Sequence, residues 1–188
     1  MQEINNIIDI LQKAKKAIKD EDSLIIKDLS NRTIHSSSIS QDPDNINIAV
    51  ILYSLSKLIE RKNYQEFAGW QKFEKTYEDS LDNALIALKK NDIEAYRDQI
   101  NRIKESINKL SGNLKSYIEQ VFRKARINKG SKIYEHGISM GQTAKILGIS
   151  IWELSQYVGQ TNSGISDMNL TYTKDIKQRI ADLQEIFK

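Results

Sequence analysis

The sequence predicts an all-α protein: an N-terminal bundle of four to five helices, a small helix-turn-helix unit and a C-terminal helix. Three observations carry this expectation. Apolar residues recur at helical steps along most of the 188-residue chain. The only proline, Pro43, stands directly after an acidic residue, where a helix would begin. Beyond Arg126 the texture changes to short helical segments and frequent glycines, Gly130, Gly137, Gly141 and Gly148 among them.

Positions 4, 7, 8, 11, 14 and 18 are apolar and mark a first amphipathic helix. "DEDS" at 20–23 reads as a turn with caps, and a second helix runs from Leu24 to the serines near 36–40. In "QDPD", Asp42 caps and Pro43 takes the first helical position, where its missing N–H costs nothing. Ile48, Ile51, Leu52, Leu55, Leu58 and Ile59 then form a wide face that places this third helix at the centre of the core. Phe67, Trp70, Tyr77, Leu81, Ala84, Leu85 and Leu88 suggest a fourth helix, closed by "KKND" with Asp92 as the next cap. From Ile93 to Val121 steps of three and four alternate without a lapse. That seam suits a neighbour within the bundle or a dimeric coiled coil, and Ser111 of "SGN" is a point where it could break. The domains expected are therefore 1–125, a helical bundle for oligomerisation or partner binding; 126–160, a basic linker and helix-turn-helix; and 161–188, a connector and a helix from about Lys174.

Composition narrows the function classes. The longest apolar run, "IAVILY" at 48–53, is far short of a membrane span, and the first residues lack the pattern of a secretory signal. With no cysteine and only His35 and His136, neither disulfides nor a zinc site are expected. A cytoplasmic protein without cofactor or metal is the expectation. Charge is unevenly placed. Residues 1–110 hold 17 basic against 18 acidic side chains, residues 111–160 hold 7 against 3, and residues 161–188 hold 4 against 4. The excess gathers in "RKARINKGSK" at 123–132, the electrostatic footprint of a nucleic-acid binder or else a solvated helix end.

Directly downstream lies "GQTAKILGISIWELSQYV" at 141–158. Two short helices at a steep angle need a small residue at their crossing and a glycine in the turn, which Ala144 and Gly148 supply. Leu147, Ile149, Leu154 and Tyr157 (or Val158) are the anchoring apolar positions, and Ser150 with Glu153 forms a capping box. The candidates to meet base edges are Ser150, Ile151, Trp152, Ser155 and Gln156; of these only Gln156 and the serines are good hydrogen-bonding readers. Trp152 is expected to fill core space, with a thymine-methyl contact or a protein anchor as alternatives. Phosphate contacts are expected from Arg123, Lys124, Arg126, Lys129, Lys132 and Lys145.

The run "YEHGISMGQTAKILGISIWEL" resembles the archaeal antitoxin-like helix-turn-helix proteins, including VapB-type partners of PIN-domain ribonucleases, over about residues 131–160. The resemblance implies operator binding, transcription regulation and a PIN-domain toxin as protein partner. A homodimer reading DNA is the leading expectation. A protein-interaction module with the same local shape is the alternative, in which Ile151 and Trp152 dock on a partner. A third reading rests on "LSNRTIHSSSIS" at 29–40, where Arg32 and His35 look like the Arg-to-His motif of the HEPN ribonucleases at a shorter spacing. The structural reading of the same residues pairs Arg32 with Asp28 and leaves His35 near a helix end, and no catalytic residue is expected.

Overall fold

The computed structural model describes residues 3–40, 42–61 and 66–162, and every regular element among them is a helix. In chain order these are α1 (Ile4–Lys19), α2 (Ser23–Ser40), α3 (Pro43–Arg61), α4 (Trp70–Lys89), α5 (Ile93–Asn108), α6 (Gly112–Glu135), α7 (Met140–Leu147) and α8 (Ile151–Asn162). Six helices precede the α7–α8 pair, rather than four or five. The expected connector and C-terminal helix at 161–188 fall almost wholly outside the described residues.

Local chemistry accounts for most of the boundaries. Asp42 Oδ1 accepts from the Asp44 backbone N–H at 3.0 Å, so the acidic residue before Pro43 caps α3. Asp22 and Asp92 cap α2 and α5 in the same way, accepting from Ile25 N and Ala95 N, each at 2.9 Å. Ser139 caps α7 through Gln142 N at 3.2 Å. Phe67, expected on the fourth helix, lies ahead of it and is exposed. Behind it, the Trp70, Phe73 and Tyr77 rings pack at 5.6–6.4 Å between centroids and fill the start of α4.

α3 is the centre of the molecule. It buries residues on nearly every side, Ile48, Ala49, Leu52, Leu55 and Leu58 being wholly enclosed. Against Ala49 the α2 backbone comes close enough for Ser30 Oγ to donate to the Ala49 carbonyl at 2.6 Å. α1 packs on α2 and α4, α4 pairs with α5, and α6 lies along α3. One apolar core joins all of these and extends through Ile133 and Ile138 to Leu147 of α7.

One expectation about segmentation is met and one is corrected. The 93–121 seam does break at "SGN": α5 ends at Asn108 and α6 begins at Gly112, whose φ of +59° is open to glycine and costly for other residues. Ser111 occupies the N-cap position with extended backbone but makes no side-chain cap bond. Conversely, residues 126–130 are not a linker. They are the interior of α6, which runs unbroken to Glu135 because Ala125, Lys129, Gly130, Ser131 and Ile133 are all buried.

Gly130 is the contact that seats the last two helices. A Cβ built there would stand 3.0 Å from Leu147 Cδ1 and 3.1 Å from Leu154 Cδ1. Gly130→Val is expected to lower stability by about 1–3 kcal/mol through overpacking, seen as an earlier urea midpoint. Gly130→Ala falls nearer zero, since a helix-propensity gain of up to ~1 kcal/mol offsets milder crowding. An unmoved midpoint in the valine variant would contradict this packing.

Candidate nucleic-acid interface

The α7–α8 pair is built from the residues expected to shape it. Ala144, Leu147 and Leu154 are buried, and Ile149 packs partly covered against the core. Gly148 ends α7 in the left-handed region at φ 61°, and Ile149 N closes the helix end on the Ala144 carbonyl at 3.1 Å. Thr143 is fully buried, and its hydroxyl has no hydrogen-bond partner among the described residues.

The capping box is complete. Ser150 Oγ accepts from Glu153 N at 3.1 Å, while Glu153 Oε2 accepts from Ser150 N at 3.0 Å and from Ser150 Oγ at 2.7 Å. The other carboxylate oxygen receives the Arg123 guanidinium at 2.6 Å, tying the start of α8 to α6. Bonds from the Ser150 hydroxyl and backbone N–H, then Arg123, hold the Glu153 carboxyl down at about 2. Both carboxylate oxygens of Glu153 are thereby engaged within the protein. The Ser150 hydroxyl, expected to meet a base edge, both donates and accepts within the cap and keeps only one acceptor lone pair for anything else.

The remaining reading candidates divide by exposure. Trp152 is 77 % exposed and Ile151 56 %, Gln156 is exposed and Ser155 half-buried. Trp152 is therefore not a core residue. With Leu154 inward, Trp152 lies about 160° around the helix from it, at roughly 100° per residue, and Gln156 shares that outer face. Tyr157 is half-buried and its hydroxyl accepts from Asn128 Nδ2 at 2.9 Å.

The six expected phosphate contacts do not form one set. Arg123, Arg126 and Lys145 line a single cleft that also reaches Gly148, Ile149 and Glu153. Lys124 lies instead beside Tyr53 and Tyr157 in a smaller cleft between α3, α6 and α8. Lys132 is paired with Glu135 at 2.9 Å. Lys129 is a correction, because it is fully buried and cannot reach a phosphate. Its Nζ donates to Asn31 Oδ1 at 2.7 Å and sits 4.3 Å from the Tyr53 ring centroid. Nothing in "INKGS" marks which side of the helix is enclosed, so Lys129 reads as surface charge from the sequence.

Arg32 and His35 are both exposed on α2, and no ion pair joins Arg32 to Asp28 among the described residues. The His35 ring meets His136, the C-cap of α6, edge to face with centroids 5.0 Å apart. Among the described residues no group of three or more acidic or histidine side chains could hold a metal ion. No helix of the described residues is long and apolar enough to cross a membrane. Set against protein-family models, curated proteins and solved structures, the chain finds no match.

Burial, then the neighbouring Lys132 and Lys27 charges, bring the Lys129 amine down to about 7. The unfolded chain keeps this lysine protonated up to about pH 10, so between pH 7 and 10 it binds more protons than the folded protein. Stability from this group accordingly rises with pH across that window. Lys129→Met is expected to raise stability at pH 7 by roughly 1–4 kcal/mol, since exposed Asn31 can turn to water. The gain should shrink by pH 9.5 in matched denaturant curves. A variant less stable than the parent at pH 7 would show that the amine is favourably charged in place.

Proposed function

We propose that α7 and α8 form a helix-turn-helix with which this protein binds duplex DNA as a regulator. The observation that carries the reading is the outward first turn of α8, where Ile151 and Trp152 stand exposed while Leu154 is buried behind them. In helix-turn-helix docking it is the N-terminal residues of the second helix that meet base edges in the major groove. Trp152, Gln156 and Ser155 are then the side chains in position to do so, with Ile151 suited to a thymine methyl. Arg126 and Lys145, beside the same turn, supply backbone contacts, and Arg123 reinforces α8 through Glu153. A twofold dimer would set two such helices about one duplex turn apart.

A second reading is favoured by one specific feature. An exposed tryptophan next to an exposed isoleucine is also the signature of a protein-docking anchor. In that case the pair would receive a protein partner, such as the toxin implied by the antitoxin-like resemblance, and DNA affinity would be absent.

Anisotropy titration of fluorescent 30-bp duplexes separates the two. DNA binding should weaken steeply with salt, and a double Arg126→Ala, Lys145→Ala variant should bind all sequences more weakly, with a salt slope smaller by about 2. Gln156→Ala should shift sequence preference rather than overall affinity. Absence of binding at 50 mM salt to both arbitrary and host genomic fragments would exclude the DNA reading.

A further inference from the structure

A cleft of about 770 Å³ opens between α3, α5, α6 and the α7–α8 turn. That volume lies within the roughly 300–1,000 Å³ typical of small-molecule sites. Its walls are of two kinds. Val50, Ile51, Ile107, Phe122, Ile146 and Ile149 supply apolar surface. Lys104 from α5, Arg123 and Arg126 from α6 and Lys145 from α7 bring four cations against the carboxylates of Glu119 and Glu153. Glu153 is already matched by Arg123, which leaves three cations facing Glu119. Neither Arg126 nor Lys145 has an ion-pair partner among the described residues.

Lys104 donates to Asn47 Oδ1 at 3.2 Å. Desolvation there, then the charge of Arg126, lowers the lysine's pKa. Like charges held together above an apolar floor are relieved by an anion placed between them. A hydrated phosphodiester would take up the charge but would gain nothing from the apolar walls, so the lining favours a ligand with an apolar body.

We propose that this cleft binds a small organic anion, its charged group held by Lys104, Arg126 and Lys145 and its apolar body against α3 and the α7–α8 turn. The occupant would border Leu147, Gly148 and Ile149, the residues that set the position of α8. A bound anion would thus be placed to change how α8 is presented. The site itself rests on the cleft and not on the DNA reading, so either can fail alone.

The test uses the full chain and the fluorescent probe 8-anilinonaphthalene-1-sulfonate, which joins a flat apolar body to one sulfonate. One saturable site per chain is expected. A double Lys104→Glu, Arg126→Glu variant should bind the probe at least about tenfold more weakly, and the uncharged N-phenyl-1-naphthylamine should bind the parent chain more weakly by a similar factor. Lys57 of α3 lines the other cleft, beside Tyr53 and Lys124; Lys57→Glu there and Trp152→Ala on the outer face of α8 should leave the probe's affinity unchanged. Should the double variant melt early, Lys104→Met with a parent-like melt serves in its place, with a loss of about threefold or more. Equal affinity in a folded variant, equal affinity for the uncharged analogue, or loss on Trp152→Ala would overturn the proposal.

Discussion

The close approach of α6 to the α7–α8 pair at Gly130 is the constraint on which the rest of the C-terminal geometry depends. Leu147 and Leu154 bracket the turn from either side, and both reach the space that a side chain at position 130 would occupy. Fixing those two leucines fixes which face of α8 is inward. Helical geometry then sends Trp152 and Gln156 to the far side, and no rearrangement of side chains alone would return the indole to the core. The exposed tryptophan follows from a glycine some twenty residues earlier in the chain.

Electrostatics refine that picture by subtraction. The positive excess around 123–132 is substantial in the sequence but much of it is internally engaged in the fold. Lys129 is enclosed over Tyr53, Arg123 holds the capping carboxylate of Glu153, and Lys132 meets Glu135. Lys124 lies in the separate cleft by Tyr157, and what stays available in the cleft at the α7–α8 turn is Arg126 and Lys145, with Lys104 joining them from α5. These three come from separate helices and line one cleft because α6 continues past the end of α5 to the turn. Continuity of α6 therefore links the body of the protein to its candidate binding surfaces.

Much of the fold was legible in the sequence where one face of a helix is buried and the other wet. The starts of α3 and α5 followed from Asp42–Pro43 and Asp92, and α3's broad apolar face announced its central place. Ser150 and Glu153 announced the cap of α8. Legibility failed where a helix is enclosed on several sides. In α6 the consecutive residues Lys129, Gly130 and Ser131 are all buried, so period is lost and glycine reads as a breaker instead of a close contact. The break after α5 showed only in "SGN", because the apolar spacing itself continues across 109–111 although the chain turns there. The meeting of His35 with His136 joins positions too far apart in sequence for any local pattern to reveal.

The central claim is that the outward turn of α8 lies against duplex DNA, and Trp152 itself can report on it. In a Trp70→Phe variant, which replaces the other, buried tryptophan by a ring of similar character, all indole emission comes from position 152. Acrylamide should quench that emission efficiently in the free protein. Addition of duplex DNA at low salt should protect it from acrylamide and shift its spectrum, and raising the salt should reverse both changes. Emission that stays equally quenchable at saturating DNA would contradict the claim.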